Sequence, residues 1–177
     1  MKAKSIKGKS TEEVAAALRD SMADGFAPTL AICFISKVLD RMAISQLLGQ
    51  KGVAVFGCTT NGEFIDEEPD KESAAILLLD ISTTYFRTYF EEYPDRNYHE
   101  VAAAIARQAK SDFTVPAFLI GISGAATDGE AILHGFEEVI GPAVNVYGGA
   151  AGDDYSFSET WVFTNNRESK NGIVCIA

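Results

Sequence analysis

The chain has 177 residues, 47% of them hydrophobic and 23% charged, a balance that fits a globular domain and excludes a disordered, collagenous or coiled-coil protein. Acidic residues outnumber basic ones 25 to 15, and the formal net charge of −10 opposes both nucleic acid and anionic lipid. No apolar run approaches the roughly 20 residues of a membrane span, and Thr11, Glu12 and Glu13 stand where a signal peptide would carry its apolar core.

The first elements read as strand and helix in alternation. A weak strand over residues 2–6 precedes Ser10 and Glu13, a capping-box pair that opens a helix through Val14, Ala17 and Leu18 and ends near Gly25. Residues 28–35 form a strand apolar on both faces, as a strand covered on both sides requires. Residues 38–48 have helical spacing, closed by Gly49 and Gly52, and residues 53–56 form a short buried strand.

The middle of the chain changes character. Residues 74–79 and 84–90 read as neighbouring antiparallel strands; Tyr85, Arg87 and Tyr89 share one face of the second, Phe86 and Phe90 the other. Asn97 with Glu100 caps a helix over residues 101–109, and residues 116–122 are again apolar on both faces. Thr127 with Glu130 caps a helix carrying Ile132, Leu133, Phe136 and Val139, which Gly141 and Pro142 end. Residues 143–147, 160–164 and 172–176 close the chain as strands. The fold class expected is α/β: one domain over residues 1–177, a layered mixed β-sheet with helices packed on it, and a βαβαβ start followed by antiparallel strands. The sequence ends at its most apolar point, Ile173 to Ala177, and this closing strand is expected to need a cover.

Cys33, Cys58 and Cys175 are odd in number and far apart, which suits a reducing, cytoplasmic setting and argues against a disulfide framework or structural zinc. Three glycine-punctuated segments follow strands, where open α/β sheets bind ligands. GCTTNGE, residues 57–63, offers backbone N–H groups with Cys58, Thr59, Thr60, Asn61 and Glu63. GISGAATDGE, residues 121–130, brings Ser123 and Asp128 to a helix start, without the Lys of a P-loop or a GxGxxG spacing. GGAAGDD, residues 148–154, brings Gly148, Gly149, Asp153 and Asp154. Glycines after strands also serve as plain turns. Asp153 and Asp154, even with Glu63, do not define a metal site, so neither metal nor cofactor is expected.

Taken together and in this order, Gly57 to Glu63, Asp128-Gly129-Glu130, and Gly148 to Asp154 with Phe157, Thr160, Val162 and Phe163 resemble the N-terminal part of a FIST domain. The resemblance covers most of the chain. The third motif is its most specific part, although Ala150 stands where the family commonly carries a serine. It implies an intracellular sensory input module for small ligands such as amino acids, partnered by a C-terminal FIST domain or a signalling domain. A homodimer is the substitute if that domain is missing. The expected pocket lies at the strand ends, where backbone amides hold an anionic group and Glu63, Asp153 or Asp154 holds an amine. Two other classes remain open. One is a hydrolase or transferase using Cys58 as nucleophile with His99 or His134 as base, for which no activating setting is visible near Cys58. The other is a protein-interaction module, which would not need the polar loops.

Overall fold

Three of the four described helices start at a side-chain cap. The computed structural model describes residues 1–65, 68–124 and 126–177. Helix α1 (Thr11–Met22) begins where the Ser10 hydroxyl accepts the Glu13 N–H at 3.2 Å, and the Glu13 carboxylate accepts the Lys9 N–H at 2.8 Å. Helix α2 (Arg41–Gly49) begins where Asp40 accepts the Ala43 N–H at 2.9 Å. Helix α3 (Tyr98–Asp112) follows Asn97, whose side chain makes no capping bond. Helix α4 (Gly129–Ile140) is capped by Asp128, which accepts the Ala131 N–H at 3.0 Å. Thr127, the cap expected from the sequence, instead donates its hydroxyl to the Ser123 carbonyl at 2.9 Å. A carboxylate at a helix start also meets the positive end of the dipole, which favours Asp128 over its neighbour.

The strands are β1 (Lys2–Gly8), β2 (Leu30–Ile35), β3 (Ala54–Thr59), β4 (Glu63–Ile65), β5 (Glu68–Asp70), β6 (Ala74–Asp80), β7 (Thr88–Glu92), β8 (Phe118–Ile122), β9 (Val146–Ala150), β10 (Val162–Phe163), β11 (Glu168–Ser169) and β12 (Gly172–Ile176). They divide into a six-stranded sheet, β1-β6-β2-β3-β10-β11, a four-stranded sheet, β7-β12-β8-β9, and the antiparallel pair β4-β5. The β2–β3 and β8–β9 pairs are parallel, and every other pairing is antiparallel. The fold is therefore mixed α/β with helices on sheets, as its composition of elements leads one to expect, but the main strands lie in two sheets rather than one.

Alternation along the strands sorts the residues into three cores. Ala31, Cys33, Ile35, Val55, Ile76 and Leu78 face α1 and α2, packing with Val14, Leu18, Ile44 and Leu48. Phe118, Ile120, Ile122, Ile173 and Cys175 face α3 and α4, packing with Ile105, Ile132 and Phe136. Between the sheets lie Phe56, Cys58, Phe90, Val162 and Val174, flanked by Ile32, Leu119 and Ile176. The layers run helix, sheet, sheet, helix, with the thinnest core in the middle.

Two expectations change here. The strands of residues 74–79 and 84–90 are not neighbours: β6 pairs with β1 and β2, whereas β7 pairs with β12 in the other sheet. Nothing in residues 81–87 is a tight hairpin turn, and the segment crosses between sheets, with Tyr85 exposed. The closing strand β12 needs no outside cover, because β7 and β8 flank it and Ile173, Val174 and Cys175 are fully buried.

The middle layer depends on Gly121. A Cβ there would stand 2.2 Å from the Cys58 Sγ and 3.1 Å from Val174 Cγ1. Gly121→Ala is expected to lower stability by about 1–3 kcal/mol through overpacking, read by urea unfolding. Adding Cys58→Ala should recover part of that loss. Independent, additive effects of the two substitutions would show that the contact does not set the sheet spacing.

Candidate functional site

The carboxyl ends of the two parallel pairs, β2–β3 and β8–β9, meet at one rim of the sandwich. Backbone bonds knit the first and third glycine-rich loops: Gly152 N–H donates to Thr59 O at 2.7 Å and Asp154 N–H to Thr60 O at 3.2 Å. Asn61 Oδ1 adds two more, accepting the Asp153 N–H at 2.9 Å and the Tyr155 N–H at 3.3 Å. The second loop joins through Gly124 N–H, which donates to Thr160 Oγ1 at 3.0 Å, and Ala151 N–H, which donates to Ile122 O at 2.8 Å. Residue 125, within that loop, lies outside the described residues.

Much of the polar inventory expected for a ligand is spent on this knitting. Thr59 is fully buried, its hydroxyl accepting the Trp161 N–H at 2.9 Å. Glu63 is buried and accepts from Thr60 Oγ1 at 2.5 Å and Ser73 Oγ at 3.1 Å. Ser123 is buried, donating to Ser169 O at 2.9 Å and accepting the Gly172 N–H at 3.1 Å. Asp128 caps α4, and Asp154 accepts the Ser36 hydroxyl at 2.7 Å. Asp153 accepts the Ser158 N–H at 2.5 Å and the Ser156 hydroxyl at 3.0 Å, and the Ser158 N–H holds its carboxyl below the usual range. Asp154, Tyr155 and Phe157 have φ of 57°, 59° and 52°, so the loop folds back in the left-handed region without glycine.

Two cavities remain beside the knot. A small one of about 180 Å³ lies between the sheets, lined by Phe34, Phe56, Cys58, Thr59, Thr60, Leu119 and Ile120 with Gly148 to Ala150. Gly148 has φ 135°, and a Cβ on it would press to 1.8 Å from the Ile120 carbonyl, so only glycine fits there. A larger cavity of about 400 Å³ opens on the other side of the third loop, lined by Gly124, Asp153, Phe157, Ser158, Glu159, Thr160, Lys170 and Asn171. Across it, Lys170 Nζ and a Glu159 carboxylate oxygen lie 2.7 Å apart, both about half exposed. Lys170 also stands 5.8 Å from the centre of the Trp161 ring.

The expected site residues thus separate. Cys58, Thr59, Thr60, Gly148 and Gly149 line the small cavity, and Asp153 lines the larger. Asn61 and Glu63 border an open cleft against the β4–β5 pair. Ser123, Asp128 and Asp154 border none of these three. Lys170, Glu159 and Lys37, whose Nζ donates to Ser158 Oγ at 2.8 Å and to Ser156, were not visible as site residues in the sequence. Lys37 lies two residues past the end of β2, so the strand-end rule that singled out the glycine-rich loops also applies to it.

His99 pairs with Glu138 at 3.1 Å and His134 with Glu137 at 3.1 Å, both on the outer helix layer. Cys58 lies in the inter-sheet core, where burial pushes its thiol up to about 12. Burial pushes the Cys33 and Cys175 thiols up as well. The thiols ionise near pH 9 in the unfolded chain and far higher in the fold, so stability present below pH 9 is lost as pH rises past it. The loss is at most about 1.4 kcal/mol per pH unit for each thiol. Urea unfolding between pH 8 and 10 should show this fall, shallower in Cys58→Ala. Iodoacetamide at pH 7 should leave all three thiols of the native protein unmodified, as read by mass spectrometry; rapid modification of Cys58 alone would contradict this environment.

Among the described residues no helix is long and apolar enough to cross a membrane, and no group of three or more His, Cys, Asp or Glu side chains is placed to hold a metal ion. A search of curated proteins finds no match. The FIST N domain matches residues 29–177, which takes in the two-sheet sandwich from β2 to β12 and all three loops. The chain belongs to the FIST N domain family of sensory signal-transduction domains.

Proposed function

We propose that this domain is a non-catalytic sensor of a small zwitterion, an amino acid or a close analogue, working in the cytoplasm. The observation that carries the reading is the set of opposite charges in one cavity of about 400 Å³, a volume within the range of small-molecule sites. Lys170 receives the ligand carboxylate, and Glu159 with Asp153 receives the ammonium. The Lys170–Glu159 pair is half exposed and solvent-screened, so a ligand displaces it at small cost. Phe157, 92% exposed, borders the same cavity and supplies an apolar surface for the ligand side chain. Three buried thiols, far from one another in sequence, support a reducing compartment.

The anion seat moves from the loop amides to Lys170, because the Gly124 N–H and the amides of residues 152–155 are already bonded within the loops. Glu63, Asp153 and Asp154 all accept hydrogen bonds within the fold, but of this expected amine-binding set Asp153 is the member that lines the cavity, and its bonds to Ser156 and Ser158 both fall on Oδ2. Output passes to another domain, a C-terminal FIST domain or a signalling domain, and a second copy is the alternative partner.

The test is a thermal-shift and calorimetry screen of the natural amino acids, with matched primary amines and carboxylic acids as controls. At least one zwitterion should raise Tm while its amine and acid counterparts do not. Lys170→Ala should weaken that binding tenfold or more, with the ligand recovered chemically unchanged. Binding that survives both Lys170→Ala and Glu159→Gln, or the absence of any zwitterion effect, would overturn this assignment.

A further inference from the structure

The two large sheets differ in width, six strands against four, and the mismatch is not shared between their edges. On the β11 side, Arg167 of the β10–β11 turn donates to Phe90 O of β7 at 3.0 Å and stacks over the Phe90 ring, closing that side. On the other side β9 lies over β2, with Gly148 to Ala150 beside Phe34 and Tyr147 beside Leu30. Strands β6 and β1 therefore project past it. Exposure rises outward along one register row of the inner face: Phe56 is buried, Ile32 half-buried, Leu77 37% exposed and Ser5 exposed. In the next row Phe34 on β2 is 43% exposed, whereas Ala75 on β6 is 8% exposed. The apolar stripe stops at β1, whose inner face carries Ser5 opposite Leu77 and Lys7 opposite Ala75, so the uncovered seat is about one strand wide.

The edge beside that seat is unguarded. Exposed sheet edges are normally blunted with charge, proline or shortness. Strand β1 carries Lys2, Lys4 and Lys7, β7 carries Glu91 and Glu92, and β11 is two residues long. Strand β9, Val-Tyr-Gly-Gly-Ala, has none of these devices and is largely exposed. Asn145 O and Ala151 N–H both bond to β8, and the alternation of a parallel ladder then turns the N–H and C=O groups of Val146, Gly148 and Ala150 to the open side.

We propose that β9 is a docking edge for one extended strand of a partner protein, with apolar side chains at alternate positions and basic ones between. The added strand continues the interface between the sheets: its backbone pairs with β9, and its apolar face lies over Leu77 and Phe34 with Tyr147 beside it. The net charge of −10 favours a basic segment and disfavours a second copy. Sterics disfavour the second copy further. Pairing β9 with β9 of another copy would drive both projecting β6–β1 edges, each about 10 Å wide, into the same space.

The test uses seven-residue peptides alternating valine with lysine, a scrambled peptide that breaks the alternation, and an alternating valine–glutamate peptide. The alternating basic peptide should bind by fluorescence polarisation and slow hydrogen exchange at the Gly148 and Ala150 amides. The scrambled and acidic peptides should bind at least tenfold more weakly. Ala150→Pro, which removes one outward N–H, and Tyr147→Lys, on an exposed side chain, should each weaken binding tenfold or more while leaving the circular dichroism spectrum unchanged. Binding that ignores both substitutions, or no binding at all, overturns the proposal. Dimers seen by light scattering and abolished by Ala150→Pro would also overturn it, by making a second copy the occupant.

Discussion

The close approach of β8 to β3, set by the absence of a side chain at Gly121 against the Cys58 thiol, is the contact on which the rest of the arrangement depends. The two sheets carry their helices on their outer faces. Their inner faces meet through a core of few residues, Phe56, Cys58, Phe90, Val162 and Val174 at its centre. A thin core leaves little room for adjustment, because interiors are packed at near-crystalline density. The same contact brings the carboxyl ends of β3 and β8 to one rim, so that three loops far apart in sequence can bond to one another.

Those loops show how a motif rich in polar and small residues can be structural in most of its atoms. The Asn61 amide oxygen, the Thr59 hydroxyl and the Glu63 carboxylate hold these turns by accepting the backbone N–H groups of Asp153, Trp161 and Ser73. Once this is satisfied, the larger cavity is faced mainly by side chains flanking the knot, Glu159, Lys170 and Phe157, with Asp153 the member of the knot that joins them. The left-handed residues Asp154, Tyr155 and Phe157 persist because Asn61 and Ser36 anchor the loop on both sides. Strand β9 runs into this loop without a break, so the cavity and the open sheet edge share one continuous segment, residues 146–160.

Local physics made much of the fold legible in the sequence. The cap at Ser10, the two-faced apolar strands β2 and β8, and the amphipathic spacing of α1 and α4 depend on neighbours a few residues away. The motif order that marks the family is likewise linear, and the family match covers residues 29–177. The position of β12 was legible only in part: its apolar character was plain, but whether a partner or the chain itself covers it is not a local property. The structure places it between β7 and β8, with both faces and both edges covered.

The division of the strands into two sheets was decided by tertiary structure alone. Strand β6 pairs with β1, nearly the whole N-terminal half away, and ignores β7 a few residues on, because pairing follows which apolar faces can be buried together. The candidate site followed the same rule. Sequence determined that polar, glycine-rich loops would follow β3, β8 and β9. Only the packing of the sheets determined that most of their hydrogen-bonding groups would face one another, and that Lys170 and Glu159 would face the cavity left over. A side chain's type is written in the sequence, but its free valence depends on which groups the fold brings within about 3 Å of it.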